Sequence, residues 1–233
     1  NYPTGPVRVI VPFPAGGGVD SAGRLLATRL SESFAKSFVI ENRGGANGNI
    51  GTEVVAKSAK DGYTLLFTGA GLVTNPSLYA RVPYDAVKDF DAISLMALGP
   101  NVLVVHPSLP VRSVAELVAY AKANPGKLSY SSTGSGTSVH LAAELFKHYA
   151  GVDIIHVPFK GTPGTLQALL SGDIQWALAT GNDAKGNLEA GKLRPLAVMS
   201  AKRTPLFPQV PSVTELGLKD LDLDTWFGLF APA

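Results

Sequence analysis

Apolar residues run along the chain in two alternating rhythms. "VRVIVPF" (7–13), "SFVIEN" (37–42) and "YTLLFTG" (63–69) are short runs rich in β-branched and aromatic residues and bounded by turn formers, the pattern of buried strands. Between them, "DSAGRLLATRLSESF" (20–34) and "IGTEVVAKSA" (50–59) space apolar residues three and four apart. That spacing predicts helices, the first with Asp20 as its N-cap. A β-α-β-α-β order predicts a parallel sheet with helices on its faces.

The same alternation resumes further on. Strands are predicted at "VLVVHP" (102–107), "LSYSSTG" (128–134), "DIIHVPF" (153–159), "IQWALAT" (174–180) and "LRPLAVMS" (193–200). Helices are predicted at 113–126, ended by Pro125 and Gly126, and at 138–151, 162–173 and 182–192. The strand-rich stretch 90–107 carries the chain from one half to the other. A late apolar strand, "TWFGLFAPA" (225–233), follows the polar loop "GLKDLDLD". If that strand returns to the first sheet, two crossings join the halves, which is the layout of a hinged cleft. The expected domains are 1–102 with 225–233, and 103–224, with hinges near 100–106 and 222–228.

Composition narrows the function classes. A chain that is 45% hydrophobic and 16% charged is globular, and its net charge of +2 without blocks of like charge leaves no nucleic-acid footprint. No run reaches the length of a membrane-spanning helix. The absence of cysteine excludes disulfides, thiol catalysis and cysteine metal sites. The chain opens at Asn1 rather than Met, so a leader removed by processing is expected.

Several fragments fail once their spacing is checked. "GNLEAGKL" has Leu193 where a phosphate loop needs Ser or Thr, and it follows a helix instead of leading into one. "DLDLDT" has Thr225 in place of the turn glycine of a calcium loop. "GGGVDS" and "GSGTSV" both miss the last glycine of a dinucleotide fingerprint, and Thr133 stands where a nucleophile elbow needs glycine. His140 and His148 are too far apart on one helix for a joint metal site, and His106 and His156 lie near strand ends as structural residues. His140 differs, because it falls in the first turn of a helix with a glycine-rich start.

What survives is a set of strand-to-helix turns of one kind: "PFPAGGGVD" (12–20), "SSTGSGTSVH" (131–140), "PFKGTPG" (158–164), "FTGAG" (67–71) and "ATGND" (179–183). Each offers unpaired N–H groups at the positive end of a helix dipole, a site for a carboxylate or phosphate. Lys160 is the one Lys or Arg among them, which favours a carboxylate held by neutral donors. No triad, carboxylate pair or metal cluster falls on these turns, so a binding protein is expected rather than an enzyme. An acyl- or phosphoryl-transfer enzyme using the same turns, and a receptor for a membrane sensor, stay open as alternatives.

The stretches "VPFPAGGGVDSAGRLLA", "IENRGGANGNIGTEVVAKSAKDGYTLL", "TNPSLYARVPYDAVKDF", "NVLVVHPSLPVRSVAELVAYAKANPGKLSYSSTGSGTSVHLAAELFK" and "VDIIHVPFKGTPGTLQALLSGD" together resemble the substrate-binding proteins of tripartite tricarboxylate transporters, the Bug receptors. "GKLRPLAVMSAKRTPLFPQVPSVTELGL" and "WFGLFAPA" match as well. The resemblance implies an α/β fold of the periplasmic-binding-protein (Venus-flytrap) type, with a mixed, mostly parallel sheet flanked by helices in each of two domains. It also implies a monomer in the periplasm, without metal or cofactor, which captures a small carboxylate in an interdomain cleft. Delivery would be to the membrane subunits of the transporter.

By position, the ligand loops implied are Phe13, Ala15, Gly16, Gly17 and Gly18 with Asp20, and Thr133, Gly134, Ser135, Gly136 and Thr137 with His140. Thr68, Gly69, Asn75, Phe159, Lys160, Gly161, Thr180, Asn182 and Trp226 (or its neighbour Phe227) would line the rest. Two departures stand out. Family members continue past "APA" with a helix-rich segment. The turn after "DIQW" is "ALATGNDAKGN" rather than the acidic or Asn-bearing form common in the family, which leaves the ligand's far end open.

Overall fold

Val7, Val9, Ile10 and Val11 are buried around the exposed Arg8 near the start of the chain, and burying them on both faces makes β1 (Val7–Val11) an interior strand of a sheet. The computed structural model describes residues 2–233. It divides into two units, one from the N-terminus to Leu98 together with Trp226–Ala233, the other Gly99–Thr225.

In the first unit, β1 leads to α1 (Gly18–Phe34), then β2 (Phe38–Asn42), α2 (Asn49–Ala56), β3 (Thr64–Thr68), α3 (Gly71–Leu78) and β4 (Phe90–Gly99). The last strand of the chain, β10 (Thr225–Pro232), completes a sheet of order β2-β1-β3-β10-β4. β1 is parallel to β2 and β3, with Val7 opposite Phe38 and Arg8 opposite Thr64. β10 is antiparallel to β3, with Gly228 opposite Thr68. Val9, Val11, Ala27 and Phe67 form the core on one face of the sheet, and Ile10, Val55, Leu66 and Leu72 form it on the other.

In the second unit, β5 (Asn101–Val105), α4 (Val114–Ala123), β6 (Ser129–Ser132), α5 (Ser138–Ala150), β7 (Ile155–Pro158), α6 (Thr162–Ser171), β8 (Trp176–Thr180), α7 (Gly181–Glu189) and β9 (Arg194–Val198) follow in turn. Their sheet has the order β7-β6-β8-β5-β9. β6 pairs in parallel with β7 and β8, while β5 pairs antiparallel with β8 and β9, so this sheet is evenly mixed. Trp176, Tyr130, Phe146 and Leu117 fill one face, and Val102, Val104, Leu169 and Phe207 the other.

Three differences from the sequence expectation have physical causes. The stretch 90–107 breaks at Pro100, which has no N–H for a ladder, into β4 and β5. α3 was not expected, since its apolar residues keep no helical spacing and Pro76 stands inside it. α1 starts at Gly18, two residues before Asp20, because Gly17 supplies the extended N-cap backbone.

Candidate functional site

Loop 1 joins β1 to α1. Gly16 turns the chain at φ +85°, a conformation that side chains disfavour, and Gly17 returns it to φ −89°, ψ 172° as N-cap. Asp20 is therefore the third residue of the helix and not its cap, a correction to the sequence reading. Both positions favour acidic residues, so composition alone does not separate them. Only 3% exposed, the Asp20 carboxylate accepts the Gly16 N–H and Arg24 Nε on one oxygen, each at 2.9 Å. Its other oxygen accepts Asn42 Nδ2 at 2.9 Å, and the same Asn42 amide donates to Phe13 O at 3.0 Å. Burial pushes this carboxyl up, but the bonds from Arg24, Gly16 and Asn42 together outweigh it and hold it below the usual range. Asp20 thus shapes the loop from behind. Phe13 and Gly18 are half-buried and Ala15 exposed on the loop itself.

Loop 2 joins β6 to α5 and repeats the construction. Gly136 turns the chain at φ +84°, and Thr137 returns it to φ −69°, ψ 160° as N-cap. His140 is the third helical residue, and its Nδ1 accepts the Gly136 N–H at 3.0 Å. It occupies the place that Asp20 holds in loop 1. Burial lowers its affinity for a proton, opposed by Glu144 and assisted by Lys147. Thr133 and Gly134 are half-buried and Ser135 is exposed.

Neither α1 nor α5 has a side chain bonded to its first-turn N–H groups, and α6, capped by Gly161, has none either. Helix geometry leaves those N–H groups without intrahelical acceptors, so these starts are ready for an anion. Phe159 is half-buried and Lys160 exposed just before α6. α7 differs. Thr180 is its N-cap and accepts the Asp183 N–H at 3.4 Å, so its hydroxyl oxygen is already engaged. Asn182 is exposed in its first turn, and burial pushes the Asp183 carboxyl up.

Two expected lining residues are buried within the first unit. Thr68 is buried in the β3–β10 ladder. Asn75 is 1% exposed and donates to Asn49 Oδ1 at 2.7 Å and to Asn47 O at 3.0 Å, while accepting Asn47 Nδ2 at 2.7 Å. Its polar atoms fasten α3 to the "GGANGN" turn, because a buried amide must find partners within the fold. Gly69 is buried against the Trp226 carbonyl, and half-buried Trp226 and Phe227 follow, the latter tilted on Phe67 at 5.9 Å between centroids. Asn47 is the residue that motif reasoning missed. Its φ is +52°, and its buried Oδ1 has no partner; the repeated Asn-Gly pattern of the turn was the available signal.

One contact mimics catalysis. Ser132 Oγ lies 2.7 Å from His156 Nε2, the reach of a nucleophile and its base. Ser132 is fully buried, and its hydroxyl accepts the Gly134 N–H and donates to the Gly134 carbonyl, so it is engaged within the loop itself. Among the described residues no group of three or more potential ligands is placed to hold a metal ion, and no helix is long and apolar enough to cross a membrane.

Comparison with known proteins gives the same class. Residues 22–233 match the family model described as "Tripartite tricarboxylate transporter family receptor". The chain is 38% identical over 233 residues to protein BugT of Bordetella pertussis, covering 99% of this chain and 72% of that one. Its structure superposes with a TM-score of 0.95 on R. palustris Rpa4515 with adipate, at 42% identity, over all of this chain and 78% of the other. It superposes with a TM-score of 0.92 on MatC from Rhodopseudomonas palustris with bound malate, at 30% identity, covering 99% and 79%. Both mixed α/β sheets are thus those of the periplasmic-binding-protein class. On this fold and this family match, the chain belongs to the receptors of the tripartite tricarboxylate transporter family.

Proposed function

We propose that this protein is a periplasmic, monomeric solute-binding receptor that captures a small dicarboxylate on its glycine-rich loops and delivers it to the membrane subunits of a tripartite transporter. The observation that carries this reading is the shared construction of loops 1 and 2, with glycines at φ +85° and +84° before helices whose N-caps make no side-chain capping bond. Such starts present N–H donors without a cation, which suits a carboxylate. Adipate and malate in the two related structures support the same ligand class. The N–H groups from Gly17 to Val19 and those of Ser138 and Val139 are the donors, helped by the Thr133 and Ser135 hydroxyls. Lys160, Asn182 and Trp226 read the remainder of the ligand. The match to a receptor family supports binding without turnover.

A thermal-shift screen of adipate, malate, nicotinate and aromatic acids tests this. A ligand at one hundred times its Kd adds about 2.7 kcal/mol to the folded state, enough to raise Tm by several degrees. The expected result is a clear rise with adipate or another dicarboxylate. No rise with any carboxylate defeats the proposal.

A further inference from the structure

Loop 2 rests on two imidazoles. The Gly136 N–H donates to His140 Nδ1 at 3.0 Å. The Gly134 N–H donates to Ser132 Oγ at 3.2 Å, and that oxygen lies 2.7 Å from His156 Nε2. The two rings lie tilted at 32° with centroids 4.2 Å apart, and His156 stacks in turn on Tyr130 at 4.8 Å. The Gly134 carbonyl accepts the Thr137 hydroxyl at 2.8 Å, so both glycines and the N-cap of α5 form one bonded unit above the histidine pair. Acceptance at Nδ1 places the proton of neutral His140 on Nε2.

The comparison with loop 1 gives this arrangement its meaning. There the equivalent glycine N–H is held by Asp20, which stays an acceptor at every pH above its low titration range. In loop 2 the acceptor is an imidazole nitrogen, which becomes a donor when it takes a proton. A protonated Nδ1 facing the Gly136 N–H sets two donors against each other, and the loop must move. The groups that act on His140 come from three elements. α5 supplies Glu144 and Lys147, which bond each other at 2.8 Å. β7 supplies His156, and β6 supplies Tyr130, whose hydroxyl bonds Glu144 at 2.6 Å, and the neutral Ser132. With Glu144 engaged by Lys147 and Tyr130, burial dominates and keeps both imidazoles neutral, His156 down to about 4.

We propose that His140 and His156 are positioning residues for carboxylate capture: as neutral rings they hold loop 2 in the shape that leaves the first turn of α5 open, and protonating His140 releases it. The proposal rests on the reading of loop 2 as a carboxylate loop. Carboxylate affinity then falls in acid beyond what the ligand's own ionisation causes.

Two measurements on the full chain test it. Adipate binding is followed by calorimetry for the wild type, His140→Ala and His140→Asn, whose Oδ1 restores an acceptor near the place of Nδ1. If adipate gives no thermal shift, the carboxylate with the largest shift replaces it. His140→Ala weakens binding about tenfold near pH 7.5, the effect of one lost buried acceptor, and His140→Asn recovers most of it. As pH falls below 6.5, the ordinary imidazole value from which burial lowers His140, the wild type loses affinity relative to His140→Asn, a ratio from which ligand ionisation cancels. Parallel pH profiles, or an alanine variant that binds like the wild type, overturn the proposal. Separately, long-range proton–nitrogen spectra of the ligand-free protein show His140 unprotonated at Nδ1 near pH 7, with the Gly136 amide shifting as His140 titrates. A Gly136 amide blind to that titration overturns the positioning role even if adipate binds. Absence of binding by every carboxylate, with the amide titrating as expected, instead overturns the receptor reading and the capture role with it.

Discussion

At the residue scale, Asp20 shows how one buried carboxylate stabilises a loop from behind. Its oxygens collect Gly16, Arg24 and Asn42, and through Asn42 they fix the Phe13 carbonyl. Asp20→Ala takes an acceptor from the half-buried Asn42 amide and from the Gly16 N–H and releases loop 1, an expected loss of about 2 kcal/mol by chemical denaturation. Its carboxyl is held below the ordinary 3.8, so its stabilisation is complete above that value and fades as pH falls through the lowered one. The gap in Tm between wild type and Asp20→Ala, wide at pH 7, therefore narrows only below about pH 3.8. Asp183 works in the opposite direction. Burial raises its pKa, so the folded state is favoured below the ordinary value and penalised once the group ionises. Asp183→Asn keeps an acceptor for the Thr162 hydroxyl while removing the charge, and it raises Tm at pH 7 but not below about pH 3.8. Neither behaviour was legible in the sequence. Asp20 reads there as a cap and Asp183 as one acid among many, because burial and partners from distant segments decide both.

At the element scale, capping distinguishes α4 and α7 from α1 and α5. α4 is capped by Ser113, whose oxygen accepts the Glu116 N–H at 3.1 Å, while Glu116 reaches back to the Arg112 N–H at 2.6 Å. α7 is capped by Thr180. α1 and α5 have no such cap, although Thr137 stands at the N-cap of α5 with its hydroxyl turned to the Gly134 carbonyl. An uncapped helix forgoes about 1 kcal/mol, which a functional anion restores when it binds. Gly17→Ser tests this directly, since φ −89° suits serine and its oxygen can accept a first-turn N–H. The variant is expected to melt slightly higher and to bind carboxylate several-fold more weakly, measured by calorimetry and thermal shift. Equal affinity would place the carboxylate away from α1. The strand-turn-helix order around both loops was legible from "PAGGGVD" and "TGSGTSVH", since glycine clusters and helical spacing are local signals. That Asn75 is buried and that α3 exists at all were not, because both depend on the "GGANGN" turn packing from elsewhere in the chain.

At the scale of the whole molecule, the path of the chain gives the two units unequal independence. The second, Gly99–Thr225, is continuous, and every strand of its sheet comes from within it. The first is discontinuous. Its sheet is completed by β10, which lies between β3 and β4 and carries Leu229 into the core beside Phe67. Removing residues 226–233 therefore takes out an interior strand and leaves β3 with an open edge. The two tryptophans report separately on this, since fully buried Trp176 lies in the second unit and Trp226 in the first. The fragment Gly99–Thr225 is expected to fold alone, with blue-shifted Trp176 emission and one cooperative urea transition. The chain ending at Thr225 should keep that transition while the first unit loses protection of its β1 and β3 amides from hydrogen exchange. A fragment with red-shifted emission and no transition would mean that the second core depends on the first. Exchange protection of β1 and β3 surviving without β10 would mean that the last strand only covers a sheet already stable without it.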